Sequence, residues 1–195
     1  MAPLLQTDRA EEFVRLLRKR LRGKTVNHSI SAARFMASYA TKAGITPDQA
    51  VTTGLLHDLC KDMAGDALIA AAEGYGIEVS AIQRLKPKLL HGPVAAEECR
   101  RSHLVDDEAV YEAIYWHTTG RPGFGKVGLA LYLADFAEPL RKIPEAAEAR
   151  SMLDAEGFHK ALLFASKAKL DHLHTKGVHD PTTGRFQAWL ERELG

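Results

Sequence analysis

The sequence contains little cysteine, little net charge and no long apolar run. Its 195 residues include two cysteines, Cys60 and Cys99, which excludes a disulfide-stapled scaffold. Lys and Arg number 26 and Asp and Glu 25, so the formal net charge is +1. This near-neutrality argues against a dedicated nucleic-acid binder, because affinity for the phosphate backbone comes from a clustered excess of Lys and Arg.

The chain also lacks the patterns of exported and membrane proteins. No apolar segment approaches the roughly 20 residues that cross a bilayer, and no secretory signal pattern is present. We therefore predict a cytoplasmic protein with reduced cysteines and with neither nucleic-acid nor membrane partners. A chain of 195 residues suits one domain, predicted here to span residues 1–195.

Helical periodicity dominates the sequence, without a strand pattern, a low-complexity tract or an internal repeat, so we predict an all-α fold. The clearest helix start is Thr46-Pro47-Asp48-Gln49, a capping box with proline at the first helical position. The helix that follows carries His57 and Lys61 four residues apart. Predicted helices cover 9–22, 28–43 with Asn27 as N-cap, 64–74, 79–85, 128–137, 158–175 and 186–194, and others start near residues 46, 91, 106 and 144.

The stretch Gly54 to Lys61 reads Gly-Leu-Leu-His-Asp-Leu-Cys-Lys and places an imidazole beside a carboxylate in an otherwise apolar run. A buried carboxylate costs several kcal/mol unless it is paired or bound to a metal. His57 and Asp58 are therefore either a locally satisfied core pair or part of a functional site.

Further polar side chains fall on apolar helix faces or at helix ends. A histidine on an apolar face is, taken alone, more often a satisfied core residue than a ligand. Several together favour a metal site, because four imidazoles and two carboxylates can hold two divalent cations if one carboxylate bridges them. Such nitrogen and oxygen donors suit iron, manganese, cobalt or nickel better than structural zinc, although zinc also binds them. The six candidates are His28, His57, Asp58 as the bridge, His91, His117 and Asp135.

The order His, His-Asp, Asp resembles the HD-domain phosphohydrolase superfamily, and the two additional histidines resemble its dinuclear members. More narrowly, five segments resemble the bacterial YqeK family of symmetrical diadenosine tetraphosphate hydrolases. These segments are Asn27-His28-Ser29, Gly54 to Lys61, Leu90-His91-Gly92-Pro93, His117-Thr-Thr-Gly-Arg121 and Leu133-Ala-Asp-Phe-Ala-Glu-Pro139.

The resemblance implies a single-domain HD-type helical bundle with a dinuclear metal centre, two divalent ions that are iron, and cleavage of diadenosine tetraphosphate to two ADP. It implies that one ion is held by His28, His57, Asp58 and Asp135, and the other by Asp58, His91 and His117. Nucleotide contacts are implied at Thr25, Val26, Asn27, His28, His117, Thr118, Asp135, Arg141 and, in the segment 178–183, at His179 and Thr183.

Two cations can lower the pKa of a water molecule towards neutrality for attack on phosphorus. Asp58 and Lys61 are our predicted catalytic residues, with Lys61 stabilising phosphoryl charge or, alternatively, serving as a cation at a helix C-terminus. Arg121 and Arg141 can clamp phosphates through their fork geometry, although Arg121 also fits a plain loop cation.

Two alternatives remain open. The protein could be another HD phosphohydrolase, acting on a nucleoside monophosphate, a deoxynucleoside triphosphate or a guanosine alarmone. It could also be a non-catalytic module that senses nucleotides, which is disfavoured because all six candidate ligands are present. A homodimer is compatible with the sequence.

Overall fold

The computed structural model describes residues 8–175, 177 and 180–195, and every regular element in this part of the chain is helical. The predicted all-α class is therefore confirmed. None of the described helices combines the length and the apolarity that a membrane span requires. The α-helices are α1 (Asp8–Arg20), α2 (Gly23–Ser38), α3 (Ala40–Ala43), α4 (Pro47–Leu56), α5 (Gly65–Gly74), α6 (Ala81–Leu85), α7 (His91–Arg101), α8 (Glu108–Trp116), α9 (Lys126–Ala137), α10 (Pro144–Ala155), α11 (Phe158–Thr175) and α12 (Pro181–Leu194), with a 3₁₀ turn at Pro87–Leu90.

Local capping residues set several helix starts as the sequence predicts. The Thr46 hydroxyl accepts a hydrogen bond from the Gln49 amide at 3.1 Å, and the Gln49 side chain accepts one from the Thr46 amide at 3.0 Å. Pro47 is the first residue of α4. At α8, the Asp107 carboxylate accepts a hydrogen bond from the Ala109 amide at 2.8 Å. These ends depend on residues within one turn, so sequence alone predicts them.

The first two helices differ from the prediction because a distant carboxylate supplies the cap. The sequence predicts Asn27 as the N-cap of the second helix, but α2 begins at Gly23, and α1 already ends at Arg20. The Arg22 amide, just before α2, donates a hydrogen bond to Asp62 Oδ2 at 2.8 Å. Since Asp62 lies 40 residues away, no local pattern indicates this start.

The end of α4 also differs from the prediction. The sequence predicts a helix that continues through Lys61, but α4 ends at Leu56 and tight turns follow. The Leu59 amide bonds to the Leu56 carbonyl at 3.0 Å, and the Lys61 amide bonds to the Asp58 carbonyl at 2.9 Å. These bonds span three residues rather than four, so the chain is wound more tightly here than in an α-helix. The turn places His57 and Asp58 on a helix end rather than within a helix.

The last helix begins earlier than predicted. The sequence predicts a start at Phe186, whereas α12 begins at Pro181. The Asp180 carboxylate accepts hydrogen bonds from the Thr183 amide and hydroxyl, each at 2.8 Å. An Asp-Pro pair is a typical helix start, and the apolar pattern from Phe186 onward hides it.

Helix α4 lies at the centre of the core and packs against α1, α2, α8 and α9. Its residues from Ala50 to Leu56 are all buried. Gly54 permits a close approach of α2, because a Cβ atom added at Gly54 would lie 2.4 Å from the Cα atom of Ala33. This contact brings the His28 and His57 rings to a centroid separation of 5.3 Å.

Candidate metal centre

The six predicted metal ligands lie together in the core, although five separate segments supply them. His28 lies on α2, Asp135 lies on α9, and His91 is the first residue of α7. His57 and His117 each follow the last residue of a helix, α4 and α8 respectively. Asp58 and three of the four candidate histidines are buried, and the fourth, His28, is partly exposed.

The Asp58 carboxylate divides the four histidines into two pairs. Its Oδ1 atom lies 3.0 Å from His91 Nε2 and 3.5 Å from His117 Nε2. Its Oδ2 atom lies 3.6 Å from His28 Nε2 and 3.5 Å from His57 Nε2. Each oxygen thus faces a different pair of imidazoles, which is the arrangement that a bridging carboxylate requires.

Asp135 joins one of these pairs. Its Oδ1 atom lies 3.1 Å from His28 Nε2 and 3.9 Å from His57 Nε2. We call His28, His57, Asp135 and Asp58 Oδ2 the His28 half, and His91, His117 and Asp58 Oδ1 the His91 half.

The donor atoms fit divalent cations in both halves. Metal–ligand bonds of about 2.1 Å place neighbouring ligand atoms about 3 to 3.5 Å apart, close to the separations around Asp58. The groups His28-His57-Asp58 and Asp58-His91-His117 each bring their ligand atoms within 4.8 Å of one another. All the donor atoms are nitrogen or oxygen. The nearby thiol of Cys60 is not among them and contacts Glu98 at 3.4 Å. This donor set indicates divalent metal binding.

Three of the four imidazoles are oriented by their own backbone. The Nδ1 atoms of His57, His117 and His91 each donate to the carbonyl three residues earlier, at 2.9, 2.8 and 2.5 Å. Each of these histidines directly follows a helix or the 3₁₀ turn, so its ring reaches a carbonyl of the last turn. The hydrogen bond fixes the proton on Nδ1 and leaves the Nε2 lone pair facing Asp58.

His28 is oriented by a side chain instead, because it lies within α2. Its Nδ1 atom lies 3.0 Å from Oε1 of Glu138, a buried residue directly after α9. Sequence reasoning did not assign Glu138 to the site. The one available signal was its position in the segment Leu133 to Pro139, which carries the family resemblance.

The pKa values differ between His57, which a backbone carbonyl orients, and His28, which a side chain orients. Burial lowers the pKa of His57 to about 4. Burial acts on His28 in the same direction, but hydrogen bonds to Asp135 and Glu138 outweigh it and raise the pKa to about 9. A cation in the His28 half therefore competes with a proton on His28. Burial would raise the pKa of Asp58, but the surrounding histidines hold it well below its usual range.

Within the described residues, three cationic side chains border the centre. Lys61 Nζ lies 3.2 Å from both Asp58 Oδ1 and His91 Nε2, beside the His91 half. Arg141 Nη2 donates to Asp135 Oδ1 at 2.8 Å, beside the His28 half. The third cation, Lys169 of α11, was not predicted as a site residue, and its Nζ atom lies 3.7 Å from Asp135 Oδ2.

The other predicted nucleotide-binding residues lie in different surroundings. Val26 is buried in the hydrophobic core, and Asn27 is exposed on α2. Arg121 pairs with Glu112 at 2.5 Å. His179 lies outside the described residues. Thr25 hydrogen-bonds Asp62, Thr118 is half-buried directly after His117, and Thr183 is bonded to Asp180.

A cavity of about 780 Å³ adjoins the His28 half between α9, α10 and α11. We call it the α9–α11 cavity. Asp135, Arg141 and Lys169 supply polar lining, and Phe136, Ile143 and Phe164 supply apolar lining. Its volume is within the range of sites that bind small organic ligands.

Comparison with known proteins places this centre in a family. The model of the HD domain matches residues 25–160. The chain is 31% identical over 149 residues to the symmetrical bis(5'-nucleosyl)-tetraphosphatase of Staphylococcus aureus, covering 75% of each protein. It is 25% identical over 166 residues to the enzyme of the same name from Bacillus subtilis, covering 85% of this chain and 88% of that one.

A solved structure shows the same fold. It is described as a predicted HD superfamily hydrolase involved in NAD metabolism from Clostridium acetobutylicum, and it superposes with a TM-score of 0.87 at 27% identity. The match covers 93% of this chain and 96% of the other. The matched HD model includes all six clustered residues, from His28 to Asp135. The chain therefore belongs to the HD-domain family and, within it, to the family of the symmetrical bis(5'-nucleosyl)-tetraphosphatases.

Proposed function

We propose that this protein is a divalent-metal-dependent hydrolase that cleaves diadenosine tetraphosphate symmetrically into two ADP molecules. The division of the Asp58 oxygens between two histidine pairs is the observation that carries the proposal, since it suits a dinuclear phosphohydrolase. The names of the Staphylococcus aureus and Bacillus subtilis relatives support the substrate.

The two halves of the centre divide the metal-binding roles. His28, His57, Asp58 and Asp135 would hold one ion, and Asp58, His91 and His117 would hold the other. When bound, two divalent cations supply an activated water nucleophile and neutralise charge on the phosphoryl oxygens. The nitrogen and oxygen donors support iron, with manganese, cobalt, nickel and zinc as the alternatives that metal analysis would separate.

The neighbouring cations act on the phosphate chain. Lys61 is close enough to Asp58 and His91 to offset negative charge that develops on a phosphoryl oxygen in the His91 half. Arg141 binds Asp135 through Nη2 and also donates from Nε to the Asp135 carbonyl at 3.0 Å. Its other N–H groups can bind a phosphate. The other predicted nucleotide contacts stay predictions; they are those at Thr25, Val26, Asn27, His28, His117, Thr118, Arg121, Asp135, His179 and Thr183.

The test is a turnover assay on protein purified without oxygen, with its metal content measured first. We expect two ADP for each diadenosine tetraphosphate consumed, as measured by chromatography. Release of AMP together with ATP would contradict symmetrical cleavage. Inorganic phosphate from AMP, or turnover of a deoxynucleoside triphosphate or guanosine alarmone in its place, would support another HD phosphohydrolase. Nucleotide binding without turnover by the iron-loaded protein would indicate a sensing module.

The partner implied by this function is a small-molecule nucleotide. A homodimer, the cytoplasmic location and the lack of a nucleic-acid partner stay predictions from the sequence. Light scattering of the metal-loaded protein, with and without ADP, would measure the oligomeric state directly.

A further inference from the structure

Lys169 is a largely buried amine beside the metal centre that metal binding does not use. Its side chain is 20% exposed, whereas Lys160 on the same helix is exposed to solvent. Lys169 follows the buried residues Leu162 and Ala165 by seven and four positions, so α11 directs it towards the core. Removing an ammonium group from water is costly without a partner of opposite charge, so the contacts of this amine are informative.

Neighbouring groups leave part of the hydrogen-bonding capacity of Lys169 unused. Its Nζ atom lies 3.3 Å from the His117 carbonyl, 3.7 Å from Asp135 Oδ2 and 4.1 Å from the centroid of the Tyr132 ring. Within the described part of the chain, only the first is a hydrogen bond, and an ammonium group has three donors. Lys169 also lines the α9–α11 cavity, which places its side chain beside a ligand bound there.

Asp135 is already paired without Lys169. Its Oδ1 atom accepts a hydrogen bond from Arg141 at 2.8 Å and lies 3.1 Å from His28 Nε2. The side chains of Glu145, Glu148 and Asp171 add further carboxylates to the cavity lining. Within the described residues, none of these carboxylates forms an ion pair with Lys169 or Arg141. Arg141 and Lys169 therefore place two cationic groups where the cavity meets the His28 half, and both pair with Asp135. A phosphate in the cavity would supply acceptors for the N–H groups of these two side chains that form no hydrogen bond within the described residues.

We infer that Lys169 is a catalytic residue whose ammonium group binds the phosphates of the ADP that departs from the His28 half. This inference rests on the proposed function. In the reaction, a water oxygen forms a bond to one central phosphorus, and the bond from that phosphorus to the central bridging oxygen breaks. The electron pair stays on the bridging oxygen of the departing ADP, and a proton from the water is released. Lys169 offsets the charge that builds up on the departing diphosphate.

The test compares Lys169→Met, Lys169→Arg and the control Lys160→Met, which removes an exposed amine from the same helix. We expect Lys169→Met to lower kcat for diadenosine tetraphosphate by about 100-fold, the effect of removing one transition-state charge stabiliser. The affinity for ADP, measured by calorimetry, should fall by about tenfold, the usual range for a hydrogen bond between charged groups. The affinity for adenosine, which has no phosphate, and the metal content should match the wild type. Lys169→Arg should recover most of the loss, and Lys160→Met should behave as wild type.

Three results would overturn the inference. They are unchanged kcat and ADP affinity in Lys169→Met, loss of metal in proportion to activity, and equal weakening of adenosine and ADP binding. The last two would assign Lys169 a structural role at Asp135. The calorimetry requires no turnover, so it separates this inference from the proposed function. If the wild type forms no ADP, the proposed function fails, and the binding comparison still decides whether Lys169 contacts phosphate.

Discussion

The two halves of the metal centre are held in place in different ways. Both imidazoles of the His91 half bond to carbonyls three residues earlier in the chain. In the His28 half, His28 instead depends on Glu138, which is 110 residues away, and Asp135 depends on Arg141. In the His91 half both imidazoles are oriented by helix ends, as His57 is in the His28 half, whereas His28 and Asp135 are held by side chains, and their contact requires α2 and α9 to be packed together. The comparison suggests that the His28 half is the easier one to disrupt by a single side-chain change.

Asp58 is shared by both halves, so its removal should have the largest effect. We expect Asp58→Ala to abolish metal binding and hydrolysis while leaving the helical circular dichroism signal mostly intact. The physical reason is that each histidine pair loses the oxygen that it faces on the shared carboxylate. Metal analysis and the diadenosine tetraphosphate assay measure the result. Retained activity would show that Asp58 does not bridge the two halves.

Glu138→Gln tests the His28 half alone. Loss of the carboxylate that orients His28 should weaken binding of one ion by about 10-fold to 100-fold and leave the other unaffected, since the side-chain contacts of Glu138 within the described residues include His28 and Arg141 but no ligand of the His91 half. A competition titration with a chelator measures both affinities, and Glu156→Gln on the exposed end of α10 is the control. Equal weakening of both ions would contradict the separation of the halves.

Gly54→Ala tests the helix contact that brings α2 to α4. The added Cβ atom would lie 2.4 Å from Ala33 Cα, so the helices must move apart. We expect the free energy of unfolding to fall by about 1–3 kcal/mol, as for other overpacked cores. Gly74→Ala is the matched control, because no heavy atom lies within 4 Å of a Cβ added there. Urea denaturation measures both, and similar values for the two variants would refute the close-contact explanation.

Asp62→Asn tests the hydrogen bonds that join the start of α2 to the turn after Asp58, and it should have the smallest effect. Burial would raise the pKa of Asp62, but hydrogen bonds from the Arg22 backbone and side chain prevail and lower it below 3.8. A carboxyl group with a lowered pKa adds stability that is complete above about pH 4 and is lost as the pH falls through the folded-state value. The variant should therefore be less stable than the wild type near neutral pH, and the difference should shrink below about pH 4.

Urea denaturation at several pH values measures this dependence. Glu156→Gln again serves as the control, since it lies on an exposed helix end. A stability difference that stays constant down to about pH 3 would show that the Asp62 carboxylate does not contribute through its charge.

Most features with a cause nearby in the chain were predicted, and features with a distant cause were missed; the Asp180 cap of α12 is a local cause that was missed as well. The capping box at Thr46 and the stop at Gly44, where φ is +68°, depend on neighbouring residues and were predicted correctly. The predicted helix over 28–43 is nevertheless interrupted, because the backbone leaves the helical conformation at Tyr39, between α2 and α3. The start of α2 depends on Asp62 and was predicted wrongly. Lys169 was missed although its spacing from Leu162 and Ala165 places it on a buried face, because a single lysine in a helix is usually a surface residue.

The sequence by itself determined the helical class, the local caps and the identity of the residues that form the candidate centre. Helix periodicity and donor chemistry are properties of short segments, so they can be read without coordinates. Only the tertiary structure decided which histidines face each Asp58 oxygen, that Glu138 orients His28, and that Lys169 reaches the cavity. These contacts join residues from distant segments, and their geometry is set by how closely the helices pack.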